Sequence, residues 1–241
     1  MNGTRLALPV FLLAMAGLAW EVALTRLFAL TQFYHFAFLA VNVALLGFGA
    51  GGTLLSLKPG WADPAAPMAA TTRRLEVSGL GFAGTLLAGY LLVNWLPFDS
   101  YAIAWDRRQI VLLAVYYLAL ALPFFGVGLA IGLALAVSPA GSHRLYGANL
   151  LGSALGAPAA AWLFPHLGLA GLVFALAGIG VLAALAARLS ERQTPRWWKW
   201  TPVYGLILAL IGLAVWQPPA IAQPRLSPYK TLSQLLLIPD T

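Results

Sequence analysis

Long apolar runs, separated by short polar breaks, dominate the chain. They fall at about 6–30, 33–57, 76–96, 109–137, 144–164, 167–189 and 202–216. Within each run the apolar positions are continuous rather than alternating, and most runs reach the roughly 20 residues that carry a helix across about 30 Å of hydrocarbon. A membrane barrel would show strict alternation, and nothing but helices or barrels satisfies the backbone in lipid. The pattern predicts an all-α, polytopic integral membrane helix bundle of six or seven transmembrane helices. The seventh run is the short one, with about 15 uninterrupted apolar residues, or roughly 22 Å of helix. The preceding Trp197, Trp198 and Trp200 form an interfacial belt that extends it, so it is expected to span. The predicted membrane domain is therefore 1–216, and 217–241, proline-rich and then moderately apolar, reads as a linker.

The breaks define the connections. The first two runs form a hairpin through the very short polar turn Thr31-Gln32. Pro9 falls in the first turns of its helix, where proline is tolerated. A polar loop is expected over 58–72, a second over 99–108 after Pro97, and a turn over 138–143. Pro165-His166 is read as a tight turn between the fifth and sixth helices, and Pro123 as a kink within the fourth. Small residues recur at four-residue spacing: Gly47 and Gly51, Gly128 and Gly132, and Gly152 and Gly156. Such stripes let helix backbones approach closely in lipid, where dispersion drives association. The Gly152/Gly156 face also suits association with another copy or subunit.

Composition sharpens this picture. Charged residues make up 9% of the chain and hydrophobic residues 61%, whereas a soluble domain has about a quarter of its residues charged. A net charge of +7 would suggest nucleic acid in a soluble protein. Here the basic residues sit at the ends of apolar runs, where they orient helices and meet anionic lipid. With the N-terminus inside, Arg5, Lys58, Arg73, Arg74, Arg144, Arg188, Arg192, Arg196 and Lys199 lie inside, against Arg107, Arg108, Arg225 and Lys230 outside. The positive-inside rule thus places the N-terminus in the cytoplasm, in a bacterial inner membrane. The first run resembles a signal peptide but continues to Leu30, about twice the usual apolar core. The absence of cysteine excludes disulfides, thiolate nucleophiles and cysteine metal ligands.

Intramembrane polar residues are the candidates for chemistry. Glu21 lies about ten residues before the hairpin turn and Asn42 about ten after it. At 1.5 Å per residue both stand roughly 15 Å from the turn, near the bilayer midplane, which predicts a Glu21–Asn42 contact. A carboxylate there either binds a proton or substrate, or pins helices by hydrogen bonds. Arg26 is five residues from Glu21, too far round the helix for an intrahelical pair. It either snorkels to the interface or pairs with another helix or a substrate acid. Tyr34 and His35 open the second helix as an aromatic anchor or a titrating pair. Tyr146 and Asn149 lie in the first turns of the fifth helix, where Asn149 can form interhelical hydrogen bonds. His143 and His166 fall in turns and lack a second ligand at metal spacing. No nucleophile motif, paired carboxylates in a water-accessible cleft or strand-linked glycine-rich turn is present, so no complete catalytic site is legible.

Four stretches together resemble a known group: WEVALTRLFAL (20–30), FAFLAVNVALLGFGAGG (36–52), RLYGANLLGSALGA (144–157) and LSPYKTLSQLLLIPDT (226–241). They look like the membrane-embedded relatives of spermidine synthase, in which a multi-helix membrane region precedes a soluble domain similar to polyamine aminopropyltransferases. The resemblance implies a Rossmann-like transferase domain with a decarboxylated S-adenosylmethionine-type cofactor, starting after Lys230 and lying beyond this sequence. Glu21, Arg26, Asn42, Tyr146 and Asn149 match recurrent polar positions of that group. The expectation is a membrane domain that anchors and supplies such a transferase. A secondary transporter using Glu21 as its coupling carboxylate and a non-catalytic scaffold using the Gly152/Gly156 face are the alternatives. Lys58-Pro59-Gly60 stands where a major-facilitator-like carrier has its basic loop motif, which weakens the carrier reading. The expected partners are the lipid bilayer, a transferase domain and a second copy of the chain, with no nucleic acid.

Overall fold

The computed structural model describes residues 2–32, 38–65, 67–100, 102–190 and 200–224. Six helices carry these residues: α1 (Asn2–Thr31), α2 (Leu39–Leu57), α3 (Met68–Trp95), α4 (Arg108–Val137), α5 (Ser142–Leu189) and α6 (Thr201–Trp216). The first five are long and apolar enough to cross a membrane, whereas α6 is shorter. Large apolar side chains remain exposed around the bundle, including Leu118, Leu155, Leu206, Leu210 and Leu213. In water such a surface would be an aggregation hazard; against lipid it is the expected exterior.

At 48 residues, α5 would be about 72 Å long if straight. It is instead two limbs. Gly168, at φ 65° and ψ −177°, interrupts it, in a backbone region that essentially only glycine enters. The rising limb, 142–167, packs Gly152 on Phe11 and Gly156 on Met15 of α1, and its Phe164 lies beneath Arg26. The returning limb, 169–189, brings Ser190 back to the Arg5 carbonyl, with Ser190 Oγ donating at 2.8 Å. Rising positions therefore follow α1 upward and later ones come down again. The reversal falls at Gly168 rather than at Pro165-His166, which stay within helical backbone. Proline removes a donor but keeps helical φ; only a residue free to take positive φ turns the chain.

The remaining registers are equally consistent. Gly47 and Gly51 of α2 press against the 121–129 backbone of α4, and Gly132 meets Leu55. Gly79 of α3 faces Gly180 and Ala184 on the returning limb, where a β-carbon on Gly79 would lie 2.8 Å from backbone atoms. Gly17 meets Val127, and Phe28 meets Tyr116 at 6.0 Å between ring centroids, which makes α1 and α4 antiparallel. The limbs thus alternate in direction along the chain. At the end where α1 begins, Glu76 accepts from Tyr204 Oη of α6 at 2.6 Å. At the opposite end, Tyr90 Oη of α3 donates to the Ala222 carbonyl at 2.7 Å. Residues 204–222 therefore run the height of α3 from Glu76 to Tyr90, about 21 Å.

Several local expectations change. α3 begins at Met68 rather than near residue 76, because Ala69, Ala70, Arg73 and Arg74 are good helix formers despite the charge. α2 is described from Leu39, and residues 33–37, where the helix was expected to begin, lie outside the described residues. His143 lies in the first turn of α5, after the short turn Pro139–Gly141, and His166 is helical and touches the Trp162 ring at 5.2 Å. The Gly152/Gly156 face is covered by α1 within the chain, so it is not a surface for another subunit.

Candidate functional site

A groove of about 400 Å³ lies where four helices meet. Ala14 and Leu18 of α1 and Val127, Gly128 and Ile131 of α4 line it, with Phe48 and Gly52 of α2 on one side and Asn149 and Ser153 of the rising limb of α5 on the other. Why it exists follows from the glycine stripes. The Gly152/Gly156 stripe draws α5 onto α1, and the Gly47/Gly51 stripe draws α2 onto α4. Phe48 is anchored by an edge-on contact with Phe124 at 5.6 Å. No comparable stripe joins α2 to the rising limb, and the space between them remains open.

Glu21 stands on α1 about one turn above Leu18, beyond the residues that line the groove. Positions 14, 18 and 21 share one helix face, because steps of four and three residues return to nearly the same angle. Glu21 lies about 4.5 Å above Leu18 along the axis. It is partly buried, and among the described residues it has neither a hydrogen bond nor an ion pair. Asn149 and Ser153 add amide and hydroxyl groups lower in the groove. Tyr146, one turn before Asn149, is 55% exposed on the same limb. By the register of α1 against α5, Asn149 stands about 17 Å and Tyr146 about 21 Å below Glu21, so of the expected site residues only Asn149 lines the groove and Tyr146 does not meet Glu21.

Asn42 does not meet Glu21 either. The α1–α4 and α2–α4 contacts set Glu21 at the depth of Gly47, leaving Asn42 about 7.5 Å higher. Asn42 is also exposed and turned roughly 140–180° from the Gly47/Gly51 stripe. The glycines that bind α2 to α4 therefore rotate Asn42 outward, and the expected Glu21–Asn42 contact is absent. Arg26 points away from Glu21 and places its guanidinium over the Phe164 ring at 5.8 Å, tying the top of α1 to the rising limb of α5. Tyr34 and His35 lie outside the described residues, as does the 226–241 stretch.

Among the described residues no group of three His, Asp or Glu side chains is placed to hold a metal ion. Sequence reasoning passed over a different polar cluster. Glu76, Arg188 and Tyr204 meet at the end of the bundle where α1 starts, joined through Glu76 Oε1. Their signal was faint: three ordinary polar residues near the ends of three apolar runs, far apart in sequence. Ser153 was also missed, although it follows Asn149 by one helical turn and lines the same groove.

Comparison of the chain with known protein families, curated proteins and solved structures finds no match.

Proposed function

We propose that this chain is the membrane domain of a spermidine synthase-like protein, and that its groove receives an amine-bearing substrate for a transferase domain using a decarboxylated S-adenosylmethionine-type cofactor. The observation that carries this reading is Glu21: a partly buried carboxylate on the same α1 face as the groove-lining Ala14 and Leu18, with no cation from the described residues to balance it. Such a group is rare within a membrane and faces a cavity or protein interior. An ammonium group would supply the missing charge, Asn149 and Ser153 would accept or donate hydrogen bonds along the same ligand, and the apolar walls would cover its methylenes. The four sequence stretches that resemble the spermidine synthase relatives add the substrate class. In this reading the limbs make seven crossings, six long and one through α6. The basic end, with Arg5, Lys58, Arg73, Arg74, Arg144 and Arg188, faces the cytoplasm, as the positive-inside rule requires.

Spermidine binding to the purified protein in detergent tests this. Calorimetric titration is expected to show saturable binding that weakens about 10- to 100-fold in Glu21→Gln, the scale of a lost hydrogen bond to a charged group, and less in Glu21→Asp. Equal affinity in Glu21→Gln overturns the assignment.

A second reading is a secondary transporter with Glu21 as its coupling carboxylate. It is favoured by the groove's position between the glycine-packed pairs α1 with α5 and α2 with α4, since carriers rock one group of helices against another around a central site. Vesicle uptake that exceeds binding stoichiometry and follows an imposed proton gradient selects this reading; uptake equal to empty vesicles eliminates it.

A further inference from the structure

The connection between α2 and α3 gathers two cations on one indole. The Lys58 ammonium lies 4.8 Å from the Trp61 ring centroid, and the Arg74 guanidinium lies 5.2 Å from the same centroid. Arg74 Nη1 also donates to the Trp61 carbonyl at 3.0 Å, which fixes the guanidinium against the turn. The turn itself is held by Trp61 N–H donating to the Lys58 carbonyl at 2.9 Å. The two charges are therefore within about 10 Å of each other, a distance over which salt at 0.1 M screens only partly. Neither makes an ion pair among the described residues. Asp63, the acid nearest in sequence, accepts instead from the Ala65 N–H at 2.8 Å. Arg73 stands exposed beside Arg74. The N-terminus of α3 adds to the same field: it has no acidic residue in its first turn and no side-chain cap.

Like charges held together by a rigid aromatic platform call for an anion between them. The position selects its kind. The cluster sits where α2 ends and α3 begins, both long and apolar enough to span a membrane, and Trp61 is the side chain that prefers the headgroup level. Exposed Leu57 and Val77 lie on the adjoining helix ends, where acyl chains would run. The geometry points to a binding site for the headgroup phosphate of an anionic phospholipid, held by Lys58 and Arg74 across Trp61. This site is separate from the groove and does not depend on the function proposed for it.

Native mass spectrometry of the full chain in non-ionic detergent, titrated with phosphatidylglycerol or phosphatidylcholine, tests the assignment. The protein is expected to hold one more phosphatidylglycerol than phosphatidylcholine. Lys58→Gln should weaken that lipid about fivefold, and Lys58→Gln with Arg74→Gln about thirtyfold, from the usual contribution of each basic residue near a charged surface. Arg107→Gln with Arg108→Gln, at the opposite end, should leave it unchanged. Arg74 also braces the turn, so Lys58→Glu, whose parent side chain makes no hydrogen bond among the described residues, carries the test if the double variant fails to fold. Equal retention of the two lipids, or unchanged affinity in Lys58→Glu, overturns the site. Displacement of the lipid by millimolar inorganic phosphate would also overturn it, in favour of a soluble anion.

Discussion

Glu76 is the residue on which three helices close. Its Oε1 accepts from Arg188 Nη1 at 2.5 Å and from Tyr204 Oη at 2.6 Å, and the Arg188 guanidinium lies over the Trp200 ring at 5.6 Å. Both members of the ion pair are largely withdrawn from solvent, at 14% exposure for Glu76 and 25% for Arg188. Breaking such a pair leaves a charge without its partner, which costs more than the pair contributes over an apolar substitute. Arg188 Nε is already buried without a hydrogen-bond partner, so the cluster has little slack. Glu76→Gln keeps an acceptor for Tyr204 but removes the charge facing Arg188. It is expected to lower stability by about 1–3 kcal/mol, read as a fall in the thermal unfolding midpoint in detergent. Glu76→Leu with Arg188→Leu should recover part of the loss. An unchanged midpoint in Glu76→Gln would show that the pair holds nothing together. Each of these residues was visible in the sequence, but their meeting depends on which limb returns beside α3, and local spacing carries no such information. Glu21 is the opposite case: a carboxylate inside an apolar run announces itself, and only its partner was misread.

At the scale of the element, α5 depends on one backbone angle. Gly168 is the one glycine with positive φ among the described residues, and a β-carbon there would meet nothing within 4 Å. Gly168→Ala therefore adds backbone strain without a steric clash, expected at about 1–3 kcal/mol. The measurement is again the unfolding midpoint, with Gly147→Ala, whose added β-carbon also meets open space and whose φ is ordinary, as the control. If Gly168→Ala costs no more than the control, the reversal does not require glycine. The sequence placed two helices across 144–189 correctly in number, yet put their junction at Pro165. Proline is the louder signal in a sequence, but its fixed φ is compatible with helix. Gly168 is one of 24 glycines, and nothing local marks it as the one that turns.

Across the whole molecule, the alternating limbs put the α4–α5 turn at one end and residues 220–223 at the other, because Ala222 is held at the Tyr90 end of α3. The chain contains no cysteine, so single introduced thiols report sidedness without background. Ala140→Cys, exposed in the α4–α5 turn, should resist a membrane-impermeant maleimide in intact cells, while Ala220→Cys, exposed beyond α6, should react. Labelling of both from the same side would mean that α6 and its continuation do not cross.

Hydrophobic run length by itself determined the class of the protein, since no other backbone satisfies its hydrogen bonds in lipid. It also located most helices, the small-residue stripes and Glu21. The tertiary structure alone decided which stripe meets which helix, and with that the rotation of every helix about its axis. Gly47 and Gly51 turned toward α4 and carried Asn42 outward; Gly152 and Gly156 turned toward α1 and left Asn149 and Ser153 beside an open groove. Side-chain direction follows helix rotation, and rotation is set by close contacts between residues distant in sequence.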